Sequence, residues 1–143
     1  WKKAGMNKKQ IAYMKKGREI FHREAHCATC HQADGKGLPA AGFPPLAGSK
    51  WVAEDSERLI KLSLKGVMGK IHVDGKEYNG AMTPFGGLLN DDELASVLTY
   101  VRKSFGHDAS AITASEVKKV RAQTKEKIGL YTADELLKAH PHK

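Results

Sequence analysis

The chain has 143 residues, two cysteines, and 24 Lys and Arg against 16 Asp and Glu, for a formal charge of +8. That length suits one domain with its own core, and apolar runs of only a few residues exclude a membrane-spanning helix, which needs roughly 20. The positive excess sits in the terminal arms: residues 1–26 carry eight basic and two acidic side chains, 115–143 seven and four, and 27–114 nine and ten. A nucleic-acid surface would interleave cations with aromatics or show a reading motif; neither is found, so no nucleic-acid partner is expected. The chain opens Trp1-Lys2-Lys3 with no initiator Met and no apolar segment behind the charges, as expected of a mature or excised piece.

From Lys8 to Ala25, Tyr13, Met14, Gly17, Ile20, Phe21 and Ala25 fall at helical intervals among Lys and Arg, which predicts an amphipathic first helix. Cys27-Ala28-Thr29-Cys30-His31 follows at once. C-x-x-C-H is the attachment signature of c-type haem, in which two thiols bond the porphyrin and the adjacent imidazole ligates iron. One helical turn sets the two sulfurs on one side, with the next residue projecting toward the metal. Three other readings stand beside it. A redox dithiol would follow a strand, and nothing before Cys27 reads as one. Zinc could take Cys27, Cys30 and two of His22, His26 and His31, but no second C-x-x-C or distant His pair accompanies them. A structural disulfide would leave His31 without a role.

Turn signals fill the next stretch, in Asp34-Gly35-Lys36-Gly37 and Gly42-Phe43-Pro44-Pro45, so loops rather than strands are expected around the site. Residues 56–66 read as a short helix with Asp55 or Ser56 as N-cap and Gly66 as its stop. Lys70 to Tyr78 has the pattern of a small hairpin turning at Asp74-Gly75. Met82 then stands in what reads as a loop flanked by Gly80 and Pro84, and a thioether there is a soft ligand suited to low-spin haem iron. Met68, in another Gly-rich stretch, is the rival ligand, and core filling is the ordinary use of either. The clearest helix signal comes next. Asn90 caps it with Glu93 in a capping box, Leu89 and Leu94 form a staple, Leu94, Val97, Leu98, Val101 and Phe105 face inward, and Gly106 ends it.

On these residues the chain resembles the class I cytochromes c, small monohaem proteins and homologous domains of larger bacterial redox enzymes. The resemblance covers about residues 8–106. It rests on Gly17 and Phe21, the Cys27 to His31 motif, Pro44-Pro45-Leu46-Ala47-Gly48, the Met82 segment, and Val97-Leu98-Thr99-Tyr100-Val101-Arg102. It implies an all-α fold of about three to four core helices wrapped around one covalently attached haem c, held through Cys27 and Cys30, with a C-terminal helical extension. It further implies that the first and last core helices cross with Gly17 and Phe21 against Val97 and Tyr100. The Pro44 carbonyl is expected to accept the Nδ1 proton of His31, orienting the ligand. Trp51 and Tyr78 resemble aromatics that line or hydrogen-bond the propionate edge, with plain core packing as the alternative. The chain has Met82-Thr83-Pro84 where many relatives have Met-Pro.

Residues 107–143 lie beyond the family core, so the division expected is a cytochrome domain over 1–106 and an extension over 107–143. Two short helices are predicted in the extension, one capped by Thr113 or Ser115 and one by Thr132, and His140-Pro141-His142 is expected to be an exposed end. The expected function is outer-sphere electron transfer by iron with His31 and Met82 as axial ligands, without enzymatic activity. The alternatives are a sensing or catalytic haem with a labile Met82, and a zinc or dithiol module. A monomer is expected, meeting redox protein partners, a donor dehydrogenase or an acceptor oxidase or reductase, with acidic surfaces or fused in the same polypeptide. The resemblance implies a periplasmic or otherwise exported bacterial protein.

Overall fold

A computed structural model describes residues 5–23, 31–32, 34–73 and 75–142. Cys27, Cys30, Ala25, His26 and Asp74 lie outside the described residues. Among those described the order is α1 (Lys8–His22), a 3-10 turn (Pro39–Ala41), α2 (Lys50–Ala53), α3 (Ser56–Lys65), β1 (Val67–Val73), β2 (Lys76–Met82), α4 (Asp91–Arg102), α5 (Ala114–Gln123), β3 (Tyr131–Thr132) and α6 (Ala133–Ala139).

Helix starts follow local chemistry. Asn7, Asn90, Thr113 and Thr132 each accept the N3 amide, while the N3 Gln or Glu returns a bond to the cap backbone, closing four capping boxes. Asp55 caps α3 through the Arg58 amide, and Gly66 ends it at a positive φ of 78°. Helix α4 stops at Arg102, four residues short of the predicted Gly106. Phe105, in the left-handed region at φ 55°, still turns its ring inward, 5.5 Å from Phe21 and 5.8 Å from Tyr100 between centroids.

Helices α1 and α4 form the most extensive helix packing in the fold. Gly17 makes the crossing possible: a Cβ there would sit 2.8 Å from the Ser96 carbonyl carbon and 2.8 Å from Tyr100 Cβ. Phe21 stacks at a tilt on Tyr100, centroids 5.5 Å apart. The predicted crossing is therefore present, with Ser96 and Tyr100 against Gly17, and Val97 buried in the same cluster as Phe21. That first cluster joins Met14, Ile20 and Phe21 to Leu94, Val97, Leu98 and Val101, and takes Ile112, Val117 and Val120 from beyond the predicted body.

A second cluster lies under a three-stranded sheet of order β2-β1-β3, with β1 antiparallel to β2 and parallel to β3. It contains Trp51, Leu62, Val67, Val73, Tyr78, Ala133 and Leu136, with Met82 packed against it. The hairpin is longer than predicted, running from Val67 opposite Met82 to Val73 opposite Lys76. The predicted hairpin is therefore present and extended at both ends, because Val67, Val73 and Tyr78 turn inward and sustain two full strands.

His140-Pro141-His142 is not a free end. The His140 carbonyl accepts from Arg58 Nη1 at 2.9 Å, its Nδ1 lies 3.3 Å from Asp55 Oδ2, and His142 Nδ1 lies 2.7 Å from Glu54 Oε1. Arg58 is fully buried, its guanidinium 4.8 Å over the Trp51 ring, and also donates to the Lys50 carbonyl and Glu54. A buried guanidinium needs such partners, and the backbone of the extension supplies one of them.

Candidate functional site

The segment after His31 is folded to present one carbonyl. The His31 carbonyl accepts from the Gly37 amide at 2.9 Å, the Gly35 carbonyl accepts from Leu46 and Ala47, and Leu38 pairs with Phe43. Gly37, at φ 67°, lets this loop close: a Cβ there would come within 2.6 Å of the Pro44 carbonyl oxygen. The result is a 2.8 Å bond from His31 Nδ1 to Pro44 O. Nδ1 is thereby the donor, and Nε2 is the ring nitrogen left to bind a metal. Burial pushes the His31 imidazole below its ordinary pKa of 6.5, against the Pro44 bond that raises it. A neutral imidazole is the form that ligates.

Met82 is the last residue of β2, opposite Val67, and not part of a loop. Strand pairing holds its backbone up to the point where Thr83 and Pro84 leave the sheet. Met68 is 47% exposed on β1. Trp51 and Tyr78 are both buried in the second cluster, against which Met82 packs, so the structure brings these three together. The Trp51 indole N–H donates to the His72 carbonyl at 2.9 Å. His31 and Pro44 belong to the preceding loop, and no described contact joins them to Met82. Among the described residues no group of three or more His, Cys, Asp or Glu is arranged to hold a metal ion.

Sequence reasoning missed Arg58 and Arg121. Arg121 of α5 donates through Nε to Asp91 Oδ1 at 2.8 Å, through Nη1 to the Gly86 carbonyl at 2.5 Å and through Nη2 to the Leu89 carbonyl at 2.9 Å. Each partner is more than 29 positions away along the chain, so no local pattern could have signalled it.

The donor set fits a c-type haem: an oriented, neutral imidazole directly behind a C-x-x-C pair, and a thioether fixed at a strand end. The cytochrome c family model matches residues 14–105, and the chain belongs to that family. It is 44% identical over 109 residues to cytochrome c-552 of Thermus thermophilus, covering 69% of this chain and 81% of that protein. It is 35% identical over 109 residues to the fructose dehydrogenase cytochrome subunit of Gluconobacter japonicus, covering 72% of this chain and 22% of that subunit. A third relative, the thiosulfate dehydrogenase electron acceptor of Stutzerimonas stutzeri, is 33% identical over 90 residues, 63% of this chain and 37% of that protein. The chain is accordingly an electron-transfer module carrying covalently bound haem c, and not itself a catalyst. No described helix is long and apolar enough to cross a membrane.

Proposed function

We propose that this chain carries a single haem, tethered through thioethers at Cys27 and Cys30, with His31 and Met82 in the two axial positions. The observation that supports this most directly is the His31 to Pro44 bond, which fixes the ring and leaves Nε2 as the ligating atom. Bound there, the haem supplies one-electron exchange between ferric and ferrous iron. The chain's own residues supply the rest. Pro44 keeps the imidazole oriented, Met82 favours the reduced metal as a soft ligand, and Trp51 and Tyr78 form an apolar wall beside it. Holding the haem through both His31 and Met82, the chain supports outer-sphere electron exchange rather than offering a binding position for substrate.

In this reading residues 1–106 are the cytochrome domain and 107–143 its extension, working as a monomer in an exported bacterial compartment. The partner is a redox protein, a dehydrogenase as donor or an oxidase or reductase as acceptor, met through a small transient interface. Relatives named as cytochrome subunits of dehydrogenases support a partner of that class.

The test is the visible spectrum of protein matured in a host that attaches haem c, with and without carbon monoxide. A low-spin spectrum with the weak far-red sulfur-to-iron band, indifferent to carbon monoxide, is expected. Met82→Ala should abolish that band, lower the reduction potential and open the iron to carbon monoxide. An unchanged spectrum and potential in Met82→Ala would remove Met82 from the axial position.

A further inference from the structure

Eight residues, 83–90, separate β2 from α4; Leu89 is buried in the first cluster and Phe85 packs against it, but the rest of the stretch lies at the surface. Thr83, Pro84, Gly87 and Leu88 are exposed, Leu88 by 56%. The exposed part of such a segment opens readily unless hydrogen bonds hold it. On one side α3 supplies acceptors, since the Phe85 amide donates to the Ser63 carbonyl at 2.9 Å and the Gly86 amide to the Leu64 carbonyl at 3.1 Å. On the other side the extension supplies one side chain. The planar guanidinium of Arg121 spans the turn, binding the Gly86 carbonyl where it begins, and the Leu89 carbonyl and the Asp91 carboxylate where it ends. Three acceptors in a fixed fork suit arginine and no other side chain.

We propose that Arg121 is a positioning residue for Met82: by pinning Gly86 to Asp91 from outside the family core, it keeps the thioether on the iron and limits its displacement by outside ligands. The inference rests on the reading of Met82 as the axial ligand. Its physical basis is a pre-equilibrium. An external ligand binds only the opened state, so its apparent affinity scales with the fraction of molecules in which the segment has released Met82.

The experiment uses the full chain with haem attached and imidazole as the probe, read alongside the far-red band of the ferric protein. Removing the fork in Arg121→Gln should weaken the band and tighten apparent imidazole binding about tenfold, since the variant gives up bonds to three acceptors that water only partly replaces. Arg121→Lys keeps the charge but gathers its donors on a single nitrogen, so it should fall between Arg121→Gln and the parent; it is also the variant to read if Arg121→Gln does not accumulate. Ile20→Val, a core change on α1 away from these bonds, controls for general loss of stability. If it raises imidazole affinity as much as Arg121→Gln, or if both Arg121 variants bind imidazole like the parent while Met82→Ala binds it readily, the positioning role is refuted. If Met82→Ala binds imidazole no better than the parent, the axial assignment fails first, and the inference with it.

Discussion

The two clusters of this molecule are held by different means. The α1/α4 crossing is close-packed backbone against backbone at Gly17, lined by Phe21, Tyr100 and Phe105 and begun by capped helices. The sheet side is held from a distance. Its third strand is two residues of the extension, its floor includes Ala133 and Leu136, and its buried guanidinium is bonded by the carbonyl of His140. The proposed ligands divide along the same line, His31 on a locally closed loop and Met82 at the edge of the remotely supported sheet. One expects the first region to unfold with the whole protein, and the second to loosen ahead of it.

The strongest way to break this contrast is Gly17→Val. A branched side chain would meet the Ser96 backbone and Tyr100 Cβ, neither of which can swing away, so a global loss of more than about 3 kcal/mol is expected from overpacking. Denaturant unfolding followed by far-ultraviolet dichroism and by the haem spectrum should shift together. Leu136→Ala probes the other side. Leu136 is fully buried, and its truncation should cost roughly 3 kcal/mol through the cavity it leaves. Here the far-red band should fade at lower denaturant than helix content does; coincident transitions would show that the sheet side is no weaker than the crossing.

The smallest effect is expected from acid. Hydrogen bonding from His142 holds the Glu54 carboxyl below its ordinary 4.5. Burial alone would raise Asp55, but the Arg58 amide and His140 outweigh it and hold that carboxyl below 3.8. A carboxyl lowered in the folded chain adds stability above its unfolded pKa and loses it as pH falls through the folded value. The grip on residues 140–142 should therefore be complete at neutral pH and weaken below about pH 4. Amide exchange in the last residues of α6 should quicken there while α4 stays protected, and Glu54→Gln should blunt the difference. Equal acceleration in both places would contradict it.

How much of this was legible in advance follows from the range of the forces involved. The Asn90/Glu93 capping box, the caps at Thr113 and Thr132, the stop at Gly66 and the inward faces of α1 and α4 depend on residues within a turn or two of one another, as does the unpredicted Asn7 box. The His31 to Pro44 bond spans 13 positions and was reached through family resemblance, whereas the Gly37 contact that permits it carries no periodic signal. Gly80 and Pro84 look like turn chemistry and predict a loop at Met82, which the structure instead places at the end of β2. Its pairing with Val67 is a long-range fact that outweighs local preference.

By itself, then, the sequence determined the helices, the hairpin's turn, and a Cys27-x-x-Cys30-His31 motif whose chemistry points to one cofactor class. These are set by hydrogen bonds and periodicities that close within a few residues. Only the tertiary structure decided that the extension is part of the fold, that Arg58 and Arg121 bind it to the body, and that Met82 ends an edge strand paired with β1. Those outcomes depend on which distant carbonyls reach one guanidinium, and that is settled when the chain packs.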